Sequence, residues 1–194
     1  MNIIESFKGK RPNLLPTGNI IYSGSFNPLH EGHIATAKYV HDRFNTRVDF
    51  EISVNNIDKG TVSWFQISER IEHFKKNEQP WFGNLWITDL GKFVDKAAQF
   101  PLVTFVVGFD VFYRIFGPEY RKDFDTTKTI LEDFQVKWLV FPRYVNGEIT
   151  KKEEFDQIPE EIMNKTSIVW DYTPINISST EIRNKLRRTN ESIC

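Results

Sequence analysis

Residues 19–40 read NIIYSGSFNPLHEGHIATAKYV. The first part, residues 20–22, is a short apolar run of the kind that forms a buried strand. Ser23, Gly24 and Ser25 make a small-residue turn, and Pro28 bars a helix until just past itself. From Ile34 the apolar positions fall at Ile34, Ala37, Val40 or His41, and Phe44, which is helical spacing. The order is therefore strand, glycine turn, helix, with His30 and His33 flanking Gly32 at the helix entrance.

That arrangement suits an anion. The first N–H groups of a helix lack internal partners, and the helix dipole places roughly half a positive charge there. Gly24 and Gly32 let the backbone approach a ligand, since no Cβ intervenes. His30 and His33, three apart, can point to one side and add two donors. Imidazole titrates near neutrality, so an imidazolium here can answer charge growing on a phosphate. The glycine turn predicts both rings at a rim rather than in the core. The competing reading is a zinc pair. Helical zinc motifs prefer ligands at i and i+4, whereas this is HxxH with Glu31 between, and a third ligand would have to come from His41, His73 or a carboxylate.

Outward from this stretch, the chain has 194 residues, enough for one domain with a real core. A net charge of −1 offers no basic field to nucleic acid or a membrane surface. The single cysteine, Cys194, permits no disulfide within the chain and suits a reducing, cytoplasmic location. The start, MNIIESFKGKRPNLLP, has no continuous apolar run and does not read as a signal peptide, and no run reaches transmembrane length.

Residues 1–18, punctuated by Pro12, Pro16 and Gly18, read as a loosely attached arm before a single domain at 19–190. Further strands are expected at 48–54, 85–88, 102–107, 138–141 and 168–170. Further helices are expected over 63–76, 94–100, 110–116, 126–134 and 153–163, with a hairpin signal at Asn146-Gly147. Ser63 and Gln66 have capping-box spacing. The run LVTFVV at 102–107 belongs at the sheet centre. Alternating strands and helices predict an α/β fold, a Rossmann-like, doubly wound parallel sheet with helices on both faces. In such sheets ligands sit beyond the carboxyl ends of the strands, at the switch point, where the glycine turn would lie.

The last helix is expected near Ser178 and carries the same logic. Ser178 and Glu181 have the spacing of a capping box, which by itself would account for those two side chains. Ser179 and Thr180 fall in the first turn, where hydroxyls and free N–H groups lie together. Arg183 is one turn on, and its planar fork suits phosphate oxygens, the alternative being a solvated arginine. Arg187 and Arg188 offset the helix's negative pole.

The run Gly24-Ser25-Phe26-Asn27-Pro28-Leu29-His30-Glu31-Gly32-His33 resembles the GSFNPxHxGH signature of the nucleotidyltransferase superfamily, most closely that of the nicotinamide and nicotinate mononucleotide adenylyltransferases. Near the far end, Ile177-Ser178-Ser179-Thr180-Glu181-Ile182-Arg183 resembles that superfamily's ISSTxxR. The resemblance implies transfer of a nucleotidyl group from ATP or another nucleoside triphosphate to a small phosphorylated acceptor, with release of pyrophosphate. It assigns His30 and His33 to the triphosphate, His33 nearest the transferred phosphorus, together with Ser179, Thr180 and Arg183. Of these, His30, His33 and Arg183 are the expected catalytic residues. Gly24, Ser25, Phe26 and Gly32 come with the first signature as nucleotide-binding positions. Mg²⁺ would be held through substrate phosphates and water, with no metal site on the protein.

This chemistry agrees with what the sequence lacks. It shows no Ser-His-Asp arrangement, no reactive cysteine and no GxxxxGK[ST] loop. In nucleotidyl transfer the acceptor phosphate is itself the nucleophile and attacks the α-phosphorus in line. The protein must align two anionic groups that repel each other and stabilise charge on the phosphates. Cationic and N–H donors with Mg²⁺ can do that.

Other matches are shorter. Lys59 and Arg70 resemble the basic positions of a "PHK … R" region that faces the acceptor phosphate, with surface charges as the alternative. Gly108-Phe109-Asp110 resembles GxD, where the aspartate sits near ribose hydroxyls, with a helix N-cap as the alternative. Phe141-Pro142-Arg143 resembles the segment beside adenine, where Arg143 would stack on or pair with the nucleotide. Trp64, with Trp81 and Trp86, is a candidate platform for an acceptor base, although at least two of the three are expected to fill the core.

One segment departs from the pattern. Gly91-Lys92-Phe93-Val94-Asp95-Lys96-Ala97 stands where the adenylyltransferases carry a Tyr-Thr-containing segment that helps place the pyridine nucleotide. With Gly108-Phe109-Asp110, Arg114-Ile115 and Pro118-Glu119-Tyr120 it resembles a cytidylyltransferase-like branch of the superfamily. Three readings therefore stand: an ATP-using adenylyltransferase acting on a mononucleotide in NAD biosynthesis, a CTP-using or other-acceptor transferase, and a nucleotide-binding protein without turnover. Intact His30, His33, Ser179, Thr180 and Arg183 argue against the third. An aminoacyl-tRNA synthetase, related through its HIGH motif, is disfavoured by the short chain, the missing KMSKS-like segment and the lack of a basic surface. Neither nucleic acid nor a membrane is an expected partner, and the oligomeric state stays open.

Overall fold

Short β-branched and aromatic runs pair into one large sheet. The structure, a computed structural model, describes residues 1–8, 14–56, 60–117, 128, 132–145 and 148–191. The strands are β1 (Ile3–Ser6), β2 (Ile20–Ser23), β3 (Val48–Ser53), β4 (Asn55–Asn56), β5 (Gly60–Thr61), β6 (Phe82–Thr88), β7 (Thr104–Gly108), β8 (Lys137–Phe141), β9 (Tyr144–Val145), β10 (Glu148–Ile149) and β11 (Thr166–Ile168). The helices are α1 (Glu31–Phe44), α2 (Trp64–Lys76), α3 (Phe93–Gln99), α4 (Phe109–Phe116), α5 (Glu160–Met163) and α6 (Ser179–Glu191). Seven strands form the main sheet in the order β1-β6-β3-β2-β7-β8-β11, and every pairing in it is parallel. From β2 the chain steps outward through β3 to β6, then returns to the other side of β2 with β7. The switch point thus lies between β2 and β7.

Both faces of the sheet are buried, as a parallel sheet requires. Alternate residues of each strand serve opposite layers. Tyr22, Phe50, Leu85 and Val106 pack with Ala37, Val40, Ile67 and Phe74 from α1 and α2. Ile21, Trp86, Phe105 and Val140 pack with Ala97, Phe112 and Phe116 from α3 and α4. The abundant phenylalanines form edge-on contacts in the first layer, with Phe50 4.6 Å from Phe82 and 5.0 Å from Phe74 between ring centres. This is the doubly wound α/β architecture that the alternation predicts.

Four local differences have physical causes. Within the segment read as a loose arm, residues 3–6 form an edge strand, pairing Ile3 with Leu85 and Ser6 with Thr88. Leu102 leaves the central strand at a φ of 63° because the chain is still turning after Pro101, and its N–H donates to the Phe134 carbonyl. The expected helix over 153–163 is two pieces, a 3-10 turn at Lys152–Phe155 and then α5, which starts just after Pro159. The last strand ends at Ile168 rather than starting there. Most of the helix expected at 126–134 and the hairpin signal Asn146-Gly147 lie outside the described residues, while β9 and β10 pair antiparallel.

Candidate active site

The site grows from the end of β2. The Gly24 N–H donates to the Glu51 carbonyl at 3.0 Å and so continues the pairing with β3 past the strand. The chain then turns with Phe26 at a φ of 41°, an uncommon conformation for a bulky residue. The Phe26 ring is buried against Phe50 and Phe74. A Cβ on Gly24 would stand 3.0 Å from that ring. Phe26 therefore seats the turn, and its side chain does not line the cleft.

Two guanidinium groups hold the carbonyls of this turn. Arg70 of α2 donates to Ser25 O at 3.1 Å. Arg183 of α6 donates to Asn27 O and, at 3.0 Å, to Thr180 Oγ1. Arg70 is buried, and its Nε has no hydrogen-bond partner. Burial, and then the neighbouring Arg183 charge, pushes the Arg70 pKa down, although a guanidinium stays protonated. Two guanidinium groups beside one turn have the chemistry to pair with an anion.

His30 caps α1, and its ring lies 3.7 Å from that of His33, tilted by 29°. The His30 backbone N–H donates to His33 Nδ1 at 3.3 Å. That bond sets the tautomer of a neutral His33: Nδ1 accepts, so the proton is on Nε2. Burial lowers the His30 pKa to about 4, with the Arg143 charge adding to the effect. Burial, then His30 and Arg143, holds His33 well below the usual histidine range. Both rings are therefore neutral at pH 7. They are also largely buried at the edge of a cleft, because Tyr22 and Phe26 close against His33 from the core side. Neither ring nitrogen of His30 has a hydrogen-bond partner.

The second signature meets the first directly. A reciprocal capping box starts α6, with the Ser178 N–H donating to Glu181 Oε2 at 3.0 Å and the Glu181 N–H to Ser178 Oγ at 3.2 Å. Ser179 Oγ donates to the Pro28 carbonyl at 3.1 Å. A Cβ on Gly32 would stand 3.2 Å from Ile177 Cγ2, so glycine at that position lets the two segments touch. They open on a cleft of about 300 Å³ lined by His30, His33, Gly108, Arg143, Ile177 and Ser178 among others, within the size range of small-molecule sites. Arg143 Nη1 lies 3.6 Å from Asp110 Oδ1. A Cβ on Gly108 would fall 2.3 Å from Arg143 Cδ and 2.7 Å from Asp110 Oδ1. The glycine thus makes room for that pair across the end of β7. Asp110 is in the first turn of α4 and is not its cap, which is Gly108.

A family model described as cytidylyltransferase-like matches residues 21–185. The chain belongs to that family. It is a nucleotidyltransferase of the HxGH type. A "Probable nicotinate-nucleotide adenylyltransferase" of Fusobacterium nucleatum is 29% identical over 175 residues, covering 86% of each chain. A protein of the same name from Caldicellulosiruptor saccharolyticus is 29% identical over 192 residues, covering 89% of this chain and 88% of its own. Among solved structures, Plasmodium falciparum nicotinic acid mononucleotide adenylyltransferase complexed with NaAD aligns with a TM-score of 0.57 over 85% of this chain and 82% of that one. At 18% identity that likeness is one of fold.

The remaining candidates of the transferase separate. Lys59 lies outside the described residues. Trp86 is buried in the core and donates from Nε1 to Asp49 Oδ2 at 2.7 Å. Trp81 lies beneath Lys38, whose Nζ is 5.5 Å from the ring centre. Trp64 is 54% exposed and meets the edge of Phe7 at 6.2 Å; it does not line the cleft. Tyr22, Thr36 and Tyr172 are among the cleft residues that the sequence does not single out. Thr36 Oγ1 donates to Gly32 O at 3.0 Å and lies 3.2 Å from Tyr172 OH. Thr36 follows His33 at helical spacing, which was a usable signal; Tyr172, in a loop, had none. No helix among the described residues is long and apolar enough to cross a membrane. Among the described residues no three His, Cys, Asp or Glu side chains gather as metal ligands.

Proposed function

We propose that the protein transfers the adenylyl group of ATP to the phosphate of a mononucleotide of the nicotinate or nicotinamide type, forming a dinucleotide for NAD biosynthesis and releasing pyrophosphate. One observation carries this reading: the two signatures are bonded to one another through Ser179, Arg183, Pro28 and Asn27, beside two stacked histidines that line one cleft. The names of the two relatives support the acceptor class.

In the proposed reaction an oxygen of the acceptor phosphate forms the new bond to the α-phosphorus, and the bond from that phosphorus to the β-phosphate oxygen breaks. The His33 Nε2–H donates a hydrogen bond to an α-phosphate oxygen as its charge grows, and the proton stays on the ring. A bound polyanion favours the protonated form of both imidazoles, so rings that rest neutral take up a proton more readily once ATP is in place. Arg183 and Arg70, with the hydroxyls of Ser179 and Thr180, take the leaving phosphates. Phe141, Pro142 and Ile177 give the cleft an apolar wall for a base, and the Arg143–Asp110 pair stands where polar groups of the nucleoside would lie. Lys59 is kept as a proposed acceptor-phosphate contact. Mg²⁺ accompanying the triphosphate would be held by phosphate oxygens and water and not by side chains of this chain, and would supply charge neutralisation there.

The test is pyrophosphate release from ATP and from CTP across a panel of phosphomonoesters. Release with ATP and a pyridine mononucleotide is the expected result. Release only with CTP or another acceptor would move the protein to the second reading. Nucleotide binding without release for any acceptor would overturn the enzyme.

A further inference from the structure

A buried ion pair stands behind the glycine turn and takes no part in the chemistry above. Lys96 Nζ donates to Glu51 Oε2 at 2.6 Å and to Ser23 Oγ at 2.7 Å. Ser23 Oγ in turn donates to Glu51 Oε2 at 2.5 Å, and Thr88 Oγ1 donates to Glu51 Oε1 at 2.5 Å. The Leu90 N–H closes the cluster on Thr88 Oγ1 at 3.2 Å. The ammonium also lies 4.9 Å from the centre of the Phe93 ring. All four polar side chains are buried, and they come from β2, β3, β6 and α3.

A pair of this kind is weak support for stability, because desolvating two ions offsets their attraction and apolar replacements often hold a fold as well. Its position points to another use. Ser23 is the last residue of β2 and immediately precedes Gly24, whose N–H is bonded to the carbonyl of Glu51 itself. The Glu51 carboxylate thus stands under the turn that receives the phosphates. Unpaired, it would repel them through surroundings of low dielectric. Lys96 lies in the segment 91–97, where this sequence leaves the adenylyltransferase pattern.

We propose that Lys96 is a positioning residue for phosphate binding. Bonded to Glu51 and Ser23, it fixes the strand end that carries Gly24 and Ser25 and cancels the negative charge beneath them. It touches no substrate. This inference rests on the nucleotidyl-transfer reading.

The test compares wild type, Lys96→Met and the double variant Lys96→Met with Glu51→Gln. Each is first checked for cooperative melting. ATP affinity is then read by calorimetry, and the Gly24 amide by hydrogen exchange. Lys96→Met is expected to weaken ATP binding about ten-fold or more and to speed exchange at Gly24, while the double variant regains affinity to within about three-fold of wild type. A double variant that binds no better than the single one overturns the proposal, as does unchanged affinity in a folded Lys96→Met. Should Lys96→Met fail to fold, Ser23→Ala keeps the ion pair and removes its link to the turn. It is expected to speed Gly24 exchange and weaken ATP about three-fold, and no change in either would overturn the proposal. These readouts need no turnover. A wild type that binds ATP but transfers nothing would remove the enzymatic reading and still leave the role of Lys96 to be decided.

Discussion

The two halves of the proposed phosphate site are built in different ways. The half on β2, α1 and α2 belongs to the core: Phe26, Leu29, His30, His33 and Arg70 are all buried. The half on α6 is docked from outside. Its residues 178–188 run from half-buried to exposed, and named hydrogen bonds, from Ser179 to Pro28 and from Arg183 to Asn27, join it to the first half. In the first half, folding itself sets the geometry of the donors. In the second, a few polar contacts do, and they can be removed without opening the core. Stability and chemistry should therefore be separable on α6 and entangled on α1 and α2.

The largest expected effect falls on the chemistry of the buried half. His33→Ala should lower kcat by about a hundred-fold or more with ATP affinity nearly unchanged, since its donor acts mainly in the transition state. Steady-state pyrophosphate release with parallel calorimetry checks this, and a modest, equal fall in both would make His33 a binding residue only. The next effect contrasts the two arginines. Arg183→Ala should weaken ATP about ten-fold with little change in Tm. Arg70→Ala should weaken ATP and also lower Tm, because it leaves the Ser25 carbonyl unpaired, at about 1–3 kcal/mol. Equal losses of Tm would erase the contrast.

A smaller effect concerns pH. The His30 pKa is about 4 in the folded protein, against roughly 6.5 unfolded, and His33 is shifted in the same direction. The unfolded chain therefore takes up protons first as pH falls. The stability these neutral rings contribute is fully present above about pH 6.5 and is lost on going down towards pH 4. Melting of His30→Asn across pH 7 to 5 should show a flatter decline than wild type. The smallest effect is expected for Gly108→Ala. Its Cβ would meet Arg143 and Asp110 side-chain atoms that can swing aside, so nucleotide affinity should fall only about three-fold by titration.

The same contrast explains what the sequence made legible. Signals confined to a few residues were readable: the Ile20–Ser23 strand, and the capping boxes of Ser63 with Gln66 and of Ser178 with Glu181. The pairing of β1 was not, because Ile3 and Ile4 find their partners in β6, far along the chain. The protonation of the histidines was not readable either, because it depends on burial and on Arg143, which arrives from the end of β8. Two further signals are present in the sequence. Ile67, Arg70 and Phe74 share the buried face of α2, which marks Arg70 as more than a surface charge. Pro159 marks the break between Phe155 and α5.

The account depends on one triphosphate bridging the buried half and the docked half. A structure of the protein with a non-hydrolysable ATP analogue and Mg²⁺ tests that most directly. The predicted result is an α-phosphate oxygen within hydrogen-bonding distance of His33 Nε2, with the terminal phosphates on Arg183 in the same molecule. An analogue seated away from His33, or held by α1 with Arg183 still bonded only to Asn27 and Thr180, would contradict it.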